Sequence, residues 1–304
     1  MPAALALAAP AKINLFLEVT NRRSDGYHDL ESVFQAVSLA DRLEAERRDG
    51  CAVTLECGVP GVPLGDANTV VRAALLVKQA AGARGGLHFR LAKNIPMQAG
   101  LGGGSSDAAA ALFLANRLFQ ANLPPAVLGR LAAEIGSDVP FFLCGGACLC
   151  RGRGEIVTPL EPLAPDRRLT LVLSNLASDT GEAYRRLCLP ELGQVKPTAP
   201  FLEAMSGPDE ALAAAAFNRF ETTVFAAIPA LEHLHRSLSA IPGVRPRLSG
   251  SGAALWFPGP AGPVRAALRD NARLASLADE LNVRLAETTS LGSWDGCPEI
   301  EDVG

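Results

Sequence analysis

The chain has 304 residues, of which 48% are hydrophobic and 20% charged, so it carries enough apolar surface for a buried core and enough length for about two domains. A net charge of −4 with no basic stripe argues against nucleic-acid or membrane-surface binding. No run reaches about 18 apolar residues, and the apolar start 1–10 has no basic region and is followed by Lys12, so neither a membrane span nor a secretory leader is expected.

In chain order, Ile13, Leu15, Leu17 and Val19 alternate with Lys12, Asn14, Phe16 and Glu18, predicting a half-buried strand whose other face carries a cation and an amide. A polar loop over 21–29 leads to strands over 30–39 and 51–57. Asn68 opens a helix that runs through Ala80 and stops at Gly82. Residues 87–91 alternate as a strand, with His88 on its solvent face. After Pro124 and Pro125 a helix covers 126–135 and ends at Gly136, and a hairpin turns at 152–154, where Arg151 and Arg153 read as solvated charge. The stretch 161–166 is the linker candidate. A strand over 169–173, helices over 209–227 and 229–239, a turn between strands within 247–257 and a helix over 263–272 follow, then a polar, acidic tail from Thr288 that should fray. Strands and helices mix without regular alternation, which points to an α+β fold. The expected division is 1–162, 167–290 and a flexible tail over 291–304. Seven scattered cysteines, with no histidine at zinc-ligand spacing, read as reduced thiols in a cytoplasmic protein. No pattern announces an oligomer interface.

The segment between the strand at 87–91 and the next apolar run carries the chemistry. It reads Pro96, Met97, Gln98, Ala99, Gly100, Leu101, Gly102, Gly103, Gly104, Ser105, Ser106, then Asp107 and an alanine-rich helix in which Ala108, Ala111, Leu112, Ala115, Leu118 and Phe119 recur at helical spacing. Glycines let backbone N–H groups approach a ligand, and a helix start adds unpaired donors and a positive dipole end, so the segment is built for an anion. Ser105 or Ser106 can cap the helix or donate to a phosphate oxygen. No Gly-Lys-Ser/Thr closes the loop, so it is not a Walker A loop.

Three segments, 10–15, 96–106 and 248–253, together resemble the GHMP small-molecule kinases. That resemblance implies a two-domain fold, an N-terminal nucleotide-binding domain beside a C-terminal sandwich-like one, with the active site in the cleft between them. It implies ATP as donor with Mg²⁺, bound over 96–106, and a catalytic pair in which Asp138 accepts the hydroxyl proton and Lys12 stabilises the carboxylate and attacking oxygen. The segments 23–28 and 136–141 narrow the resemblance to the branch whose acceptor is a cytidine diphosphate-linked methylerythritol, an intermediate of isoprenoid precursor synthesis. In that branch Tyr27 and Tyr184, the chain's two tyrosines, lie around the cytosine and His28 reads its edge. Asn14 contacts the alcohol, Lys93 sits near the cytidine and Thr180 belongs to the acceptor wall. The metal ligands have no assignment. A GHMP kinase of another alcohol, or a nucleotide-binding regulator on the same scaffold, remain as alternatives.

Overall fold

A computed structural model of the protein describes residues 4–161, 163–164, 166–187, 194–294 and 298–303. The linker prolines 162 and 165, and Cys188 and Cys297, lie outside the described residues. The first part of the chain forms β1 (Ala4–Arg22), β2 (His28–Arg48), β3 (Val53–Cys57), α1 (Thr69–Ala81), β4 (Gly86–Ala92), α2 (Gly103–Leu118), α3 (Pro125–Ile135), α4 (Val139–Cys144), β5 (Ala147–Gly152) and β6 (Ile156–Leu160). There follow β7 (Arg168–Leu173), α5 (Thr180–Arg185), α6 (Ala199–Met205), α7 (Asp209–Ala215), β8 (Phe217–Asn218), α8 (Glu221–Ala227) and α9 (Pro229–Ser239). The chain closes with β9 (Arg247–Leu248), β10 (Leu255–Pro258), α10 (Gly262–Asp270), α11 (Ala272–Glu280), β11 (Arg284–Thr289) and β12 (Glu301–Asp302).

Among the described residues, an eight-stranded sheet runs β12-β1-β2-β4-β3, with β5 and β6 joined to β2 and β8 to β1, and a four-stranded sheet runs β11-β7-β10-β9. The first is covered by α1 and α2, whose small side chains let them pack closely: Ala73, Ala74, Ala108 and Ala111 are fully buried. The strand β1 was expected to be half buried, but Lys12, Asn14, Phe16 and Glu18 are as buried as their neighbours. Register shifts at Pro10/Ala11 and Asn14/Phe16 turn the strand across two cores, and Trp256 of the second sheet donates Nε1–H to the Asn14 carbonyl at 3.1 Å, closing the second face.

Local signals set the helix ends where the sequence carries them. Asn68 Oδ1 accepts from the Val70 N–H at 2.8 Å, and Gly82 ends α1 in the left-handed conformation with φ 59°. The predicted serine cap of α2 is not formed. Gly102, at φ 71°, is the capping residue, and Ser105 and Ser106 lie inside the first turn. The predicted helix over 209–227 is broken between α7 and α8, because Phe217 and Asn218 pair in parallel with Phe16 and Leu17 of β1. The helix over 263–272 ends at Asp270, where Asn271 caps a further helix, α11. The C-terminal stretch departs from a flexible tail. The Leu291 N–H donates to the Ala36 carbonyl at 2.9 Å, Trp294 Nε1–H to the Leu143 carbonyl at 3.1 Å, and β12 extends the sheet edge beside β1.

One helix position was left suboptimal. Gly129 lies within α3, and a Cβ built there meets nothing within 4 Å. Gly129→Ala is expected to stabilise the fold by about 0.5–1 kcal/mol by lowering the entropy lost on helix formation. Denaturant unfolding checks this, through a higher midpoint at unchanged slope.

Candidate active site

The glycine segment 96–104, together with Ser105 and Asp107, forms one wall of a cavity of about 520 Å³ that Lys12, Asn14, Lys93 and Asp138 also line. Its shape depends on backbone that only glycine tolerates. Gly100 has φ 75°, and a Cβ there would stand 2.0 Å from the Ser249 carbonyl oxygen. Gly102 would press against Phe142 and the Lys12 stem. Three hydrogen bonds fix the loop from behind: the Lys12 N–H to the Leu101 carbonyl at 2.9 Å, the Ala254 N–H to the Ala99 carbonyl at 3.1 Å, and Ser249 Oγ–H to the Gly100 carbonyl at 2.9 Å. Thus all three segments that carried the family resemblance converge on one loop. Helix α2 runs away from it, so its unpaired N-terminal donors belong to the same wall.

Lys12 and Asp138 come together from distant elements. Lys12 Nζ lies 3.8 Å from Asp138 Oδ2, donates to Asn14 Oδ1 at 2.7 Å, and sits 4.6 Å from the Phe34 ring centroid. Asn14 Nδ2 donates to Ser32 Oγ at 2.9 Å, and Ser32 Oγ–H to the Phe16 carbonyl at 2.6 Å. The asparagine expected to touch the alcohol therefore also orients the lysine. Burial lowers the Lys12 ammonium below its ordinary pKa, against the pull of Asp138. Asp138 precedes α4 yet makes no side-chain capping bond, so its partly exposed carboxylate remains directed at the cavity and Lys12.

Lys93, expected near the cytidine, has its ammonium fixed beside the glycine loop. It lines the glycine-loop cavity and is absent from the cavity holding Tyr27 and His28. Its ammonium pairs with Asp41 and, at 2.8 Å, with Asp107, while Asp41 Oδ1 accepts the Asn94 and Ile95 N–H groups at 2.5 and 2.8 Å. Lys93 thereby ties the loop's entry to α2. Burial opposes the charge on Lys93, but Asp107 and Asp41 outweigh it and raise its pKa; burial also raises the Asp107 carboxyl, with Lys93 opposing. Asp41 and Asp107 were invisible to motif reading, since their partners come from other elements.

A second cavity, of about 510 Å³, is lined by Tyr27, His28, Thr180 and Tyr184, and shares Asp138 with the first. The His28 and Tyr184 rings stack with centroids 5.1 Å apart at 27°, and Phe220 packs edge-on against Tyr184 at 4.7 Å. Tyr27 stands 54% exposed on the other side. Thr180 Oγ lies 2.8 Å from Ser251 Oγ, joining α5 to the 248–253 turn. Burial, then the nearby Arg22, lowers the His28 pKa and so favours the neutral imidazole, which offers one donor and one acceptor. His88 is half buried rather than free, with Nδ1 2.9 Å from Thr54 Oγ. Arg153, expected to be solvated, lines both cavities.

Comparison with known proteins agrees with this geometry. Residues 68–146 match the GHMP kinases N terminal domain. The 4-diphosphocytidyl-2-C-methyl-D-erythritol kinase of Pelotomaculum thermopropionicum is 40% identical over 250 residues, covering 82% of this chain and 86% of that protein. The protein of the same name from Delftia acidovorans is 45% identical over 179 residues, 58% of this chain, and the match spans 62% of that relative's length. A crystal structure of 4-(cytidine 5'-diphospho)-2C-methyl-D-erythritol kinase superposes with a TM-score of 0.76 at 34% identity, over 94% of this chain and 99% of that one. Among the described residues no helix is long and apolar enough to cross a membrane. Sustained identity over most of the chain, on a shared fold, shows that it belongs to the 4-diphosphocytidyl-2-C-methyl-D-erythritol kinase family of the GHMP kinases.

Proposed function

We propose that the protein transfers the γ-phosphoryl group of ATP to the 2-hydroxyl of 4-diphosphocytidyl-2-C-methyl-D-erythritol, in the cytoplasm, as a step of the methylerythritol phosphate route to isoprenoid precursors. The observation that carries this reading is the pair of adjoining cavities with Asp138 in the wall of both, one against the glycine loop and one against Tyr27, His28 and Tyr184. In this reading 1–162 and 167–290 are the two domains, and the glycine loop holds the ATP phosphates on its N–H groups. Asp138 accepts the hydroxyl proton, and Lys12 offsets the charge that develops on the attacking oxygen.

Phosphoryl transfer calls for a divalent cation as well. Asp107 Oδ1 is buried in the cavity wall without a hydrogen-bond partner, and Ser106 Oγ beside it is likewise unpartnered. Among the described residues no group of three or more acidic, histidine or cysteine side chains is placed to hold a metal ion. Such a sparse set of oxygen donors fits Mg²⁺, which is commonly held by one or two carboxylates and the substrate's own phosphates. When bound, Mg²⁺ neutralises charge on the phosphates; Asp107, and Ser106 if its hydroxyl turns toward the loop, are the groups that would hold it.

On the acceptor side, the His28–Tyr184 stack and the exposed face of Tyr27 supply flat surfaces for a pyrimidine. Tyr184→Ala should cost about 1–3 kcal/mol in acceptor binding, and Tyr184→Phe much less, since the ring face is retained. The deciding measurement is kcat/KM for the cytidylated acceptor beside the same alcohol carrying only a phosphate. A strong preference for the cytidylated form is expected; equal values would leave a GHMP kinase of another alcohol.

A further inference from the structure

The two cavities meet along Asp138, Arg153, Thr180 and Tyr184, the described residues that line both. Arg153 is the only cation of these four. It stands in the turn between β5 and β6, which is held by its own N–H donating to Glu155 Oε2 at 2.7 Å. The turn lies close over the reacting group: a Cβ added at the neighbouring Gly154 would be 3.5 Å from Asp138 Oδ1. The Arg153 guanidinium rests 4.9 Å from the Tyr27 ring centroid, and its contact with Glu155 is a long one, 3.7 Å from Nε. Arg22 and Arg185 line the second cavity alone, and Arg185 is held by Glu182 at 2.7 Å.

We propose that Arg153 binds the diphosphate of a nucleoside diphosphate-linked acceptor and makes the enzyme prefer such acceptors. The inference rests on the kinase reading above. An acceptor whose base lies against Tyr27 and His28, with its hydroxyl at Asp138, must carry its diphosphate across the boundary between the cavities. Apart from Arg153, the residues common to both cavities offer that diphosphate a hydroxyl, a phenol and a carboxylate, and the carboxylate repels it. The planar guanidinium supplies forked donors that match phosphate oxygens, and its present contacts, an aromatic face and a long carboxylate contact, are weak ones to leave.

The test titrates CDP and cytidine into the full-length protein saturated with a non-hydrolysable ATP analogue, so that the donor site is filled. Wild type is expected to bind CDP about tenfold to a hundredfold more tightly than cytidine, the range for charge-assisted hydrogen bonds. Arg153→Gln should erase that preference by weakening CDP, and Arg153→Lys, which keeps the charge but loses the fork, should retain part of it. Equal affinities of the wild type for CDP and cytidine, or an undiminished preference in Arg153→Gln, would overturn the role. The wild-type comparison needs no variant, so a poorly folding substitution does not shield the proposal. Phosphorylation of the cytidylated alcohol by the wild type judges the kinase reading separately: a protein that forms product yet shows no preference for CDP defeats the inference about Arg153 alone.

Discussion

Asp138→Asn is expected to lower kcat by about 10²–10⁴-fold while ATP affinity stays within about threefold of wild type. The substitution keeps shape and removes charge. Because the Asp138 side chain makes no capping bond to α4, the amide breaks no helix contact, and the fold should hold. What disappears is the proposed acceptor for the hydroxyl proton and the anionic partner of Lys12 at 3.8 Å. Losing an interaction made chiefly in the transition state lowers kcat and kcat/KM together and leaves ground-state binding nearly intact. Steady-state kinetics with ATP titration checks this, and a variant that retains more than about a tenth of wild-type kcat would exclude Asp138 as the base.

The second large effect is expected at Gly100, where a single methyl group acts twice. At φ 75° a side chain strains the backbone, by about 1–2 kcal/mol. The same Cβ would also stand 2.0 Å from the Ser249 carbonyl, a contact that forces the 248–253 turn and the glycine loop apart. Gly100→Ala should therefore destabilise the protein by about 3–5 kcal/mol, in the range reserved for overpacked or strained sites, and raise the KM for ATP as the loop shifts. Thermal unfolding with and without ATP, beside ATP titration, reads both parts. A variant with wild-type melting temperature and wild-type KM would show that the close approach carries neither stability nor nucleotide binding.

The parts of the fold and site that were legible in the sequence are those whose causes are local. Asn68 and Gly82 bracket α1 because a side-chain oxygen and a left-handed glycine act within a few residues of where they stand. The glycine segment is legible for the same reason, since its composition states what its backbone must do. Its cap was misplaced because a left-handed Gly102 with no side-chain cap cannot be told from a serine cap by residue type. The break at Phe217 and Asn218 escaped because it is imposed by a strand about 200 residues earlier in the sequence. The ion pairs of Lys93 with Asp41 and Asp107, and the place of Arg153 between the two cavities, escaped for the same reason. A lysine between two carboxylates from β2 and α2, or an arginine folded over a distant tyrosine, leaves no mark in its own neighbourhood. Sequence reading is strongest where one element makes the site and weakest where two elements meet across it.

The dependence of β1 on late parts of the chain has a consequence for the order of biosynthesis. Lys12 and Asn14 leave the ribosome well before Asp138, which completes the proposed reacting pair. Their enclosure comes much later: β8 pairs with β1 only once Phe217 and Asn218 exist, and the Asn14 carbonyl gains its partner only with Trp256. Over that interval the nascent N-terminal part must carry a buried-type lysine and an apolar strand face still open to water. Such an interval exposes a growing chain to mispairing, and it gives chaperones a surface to cover. The candidate site is thus enclosed only after Trp256 has been made, when the second sheet closes over the first.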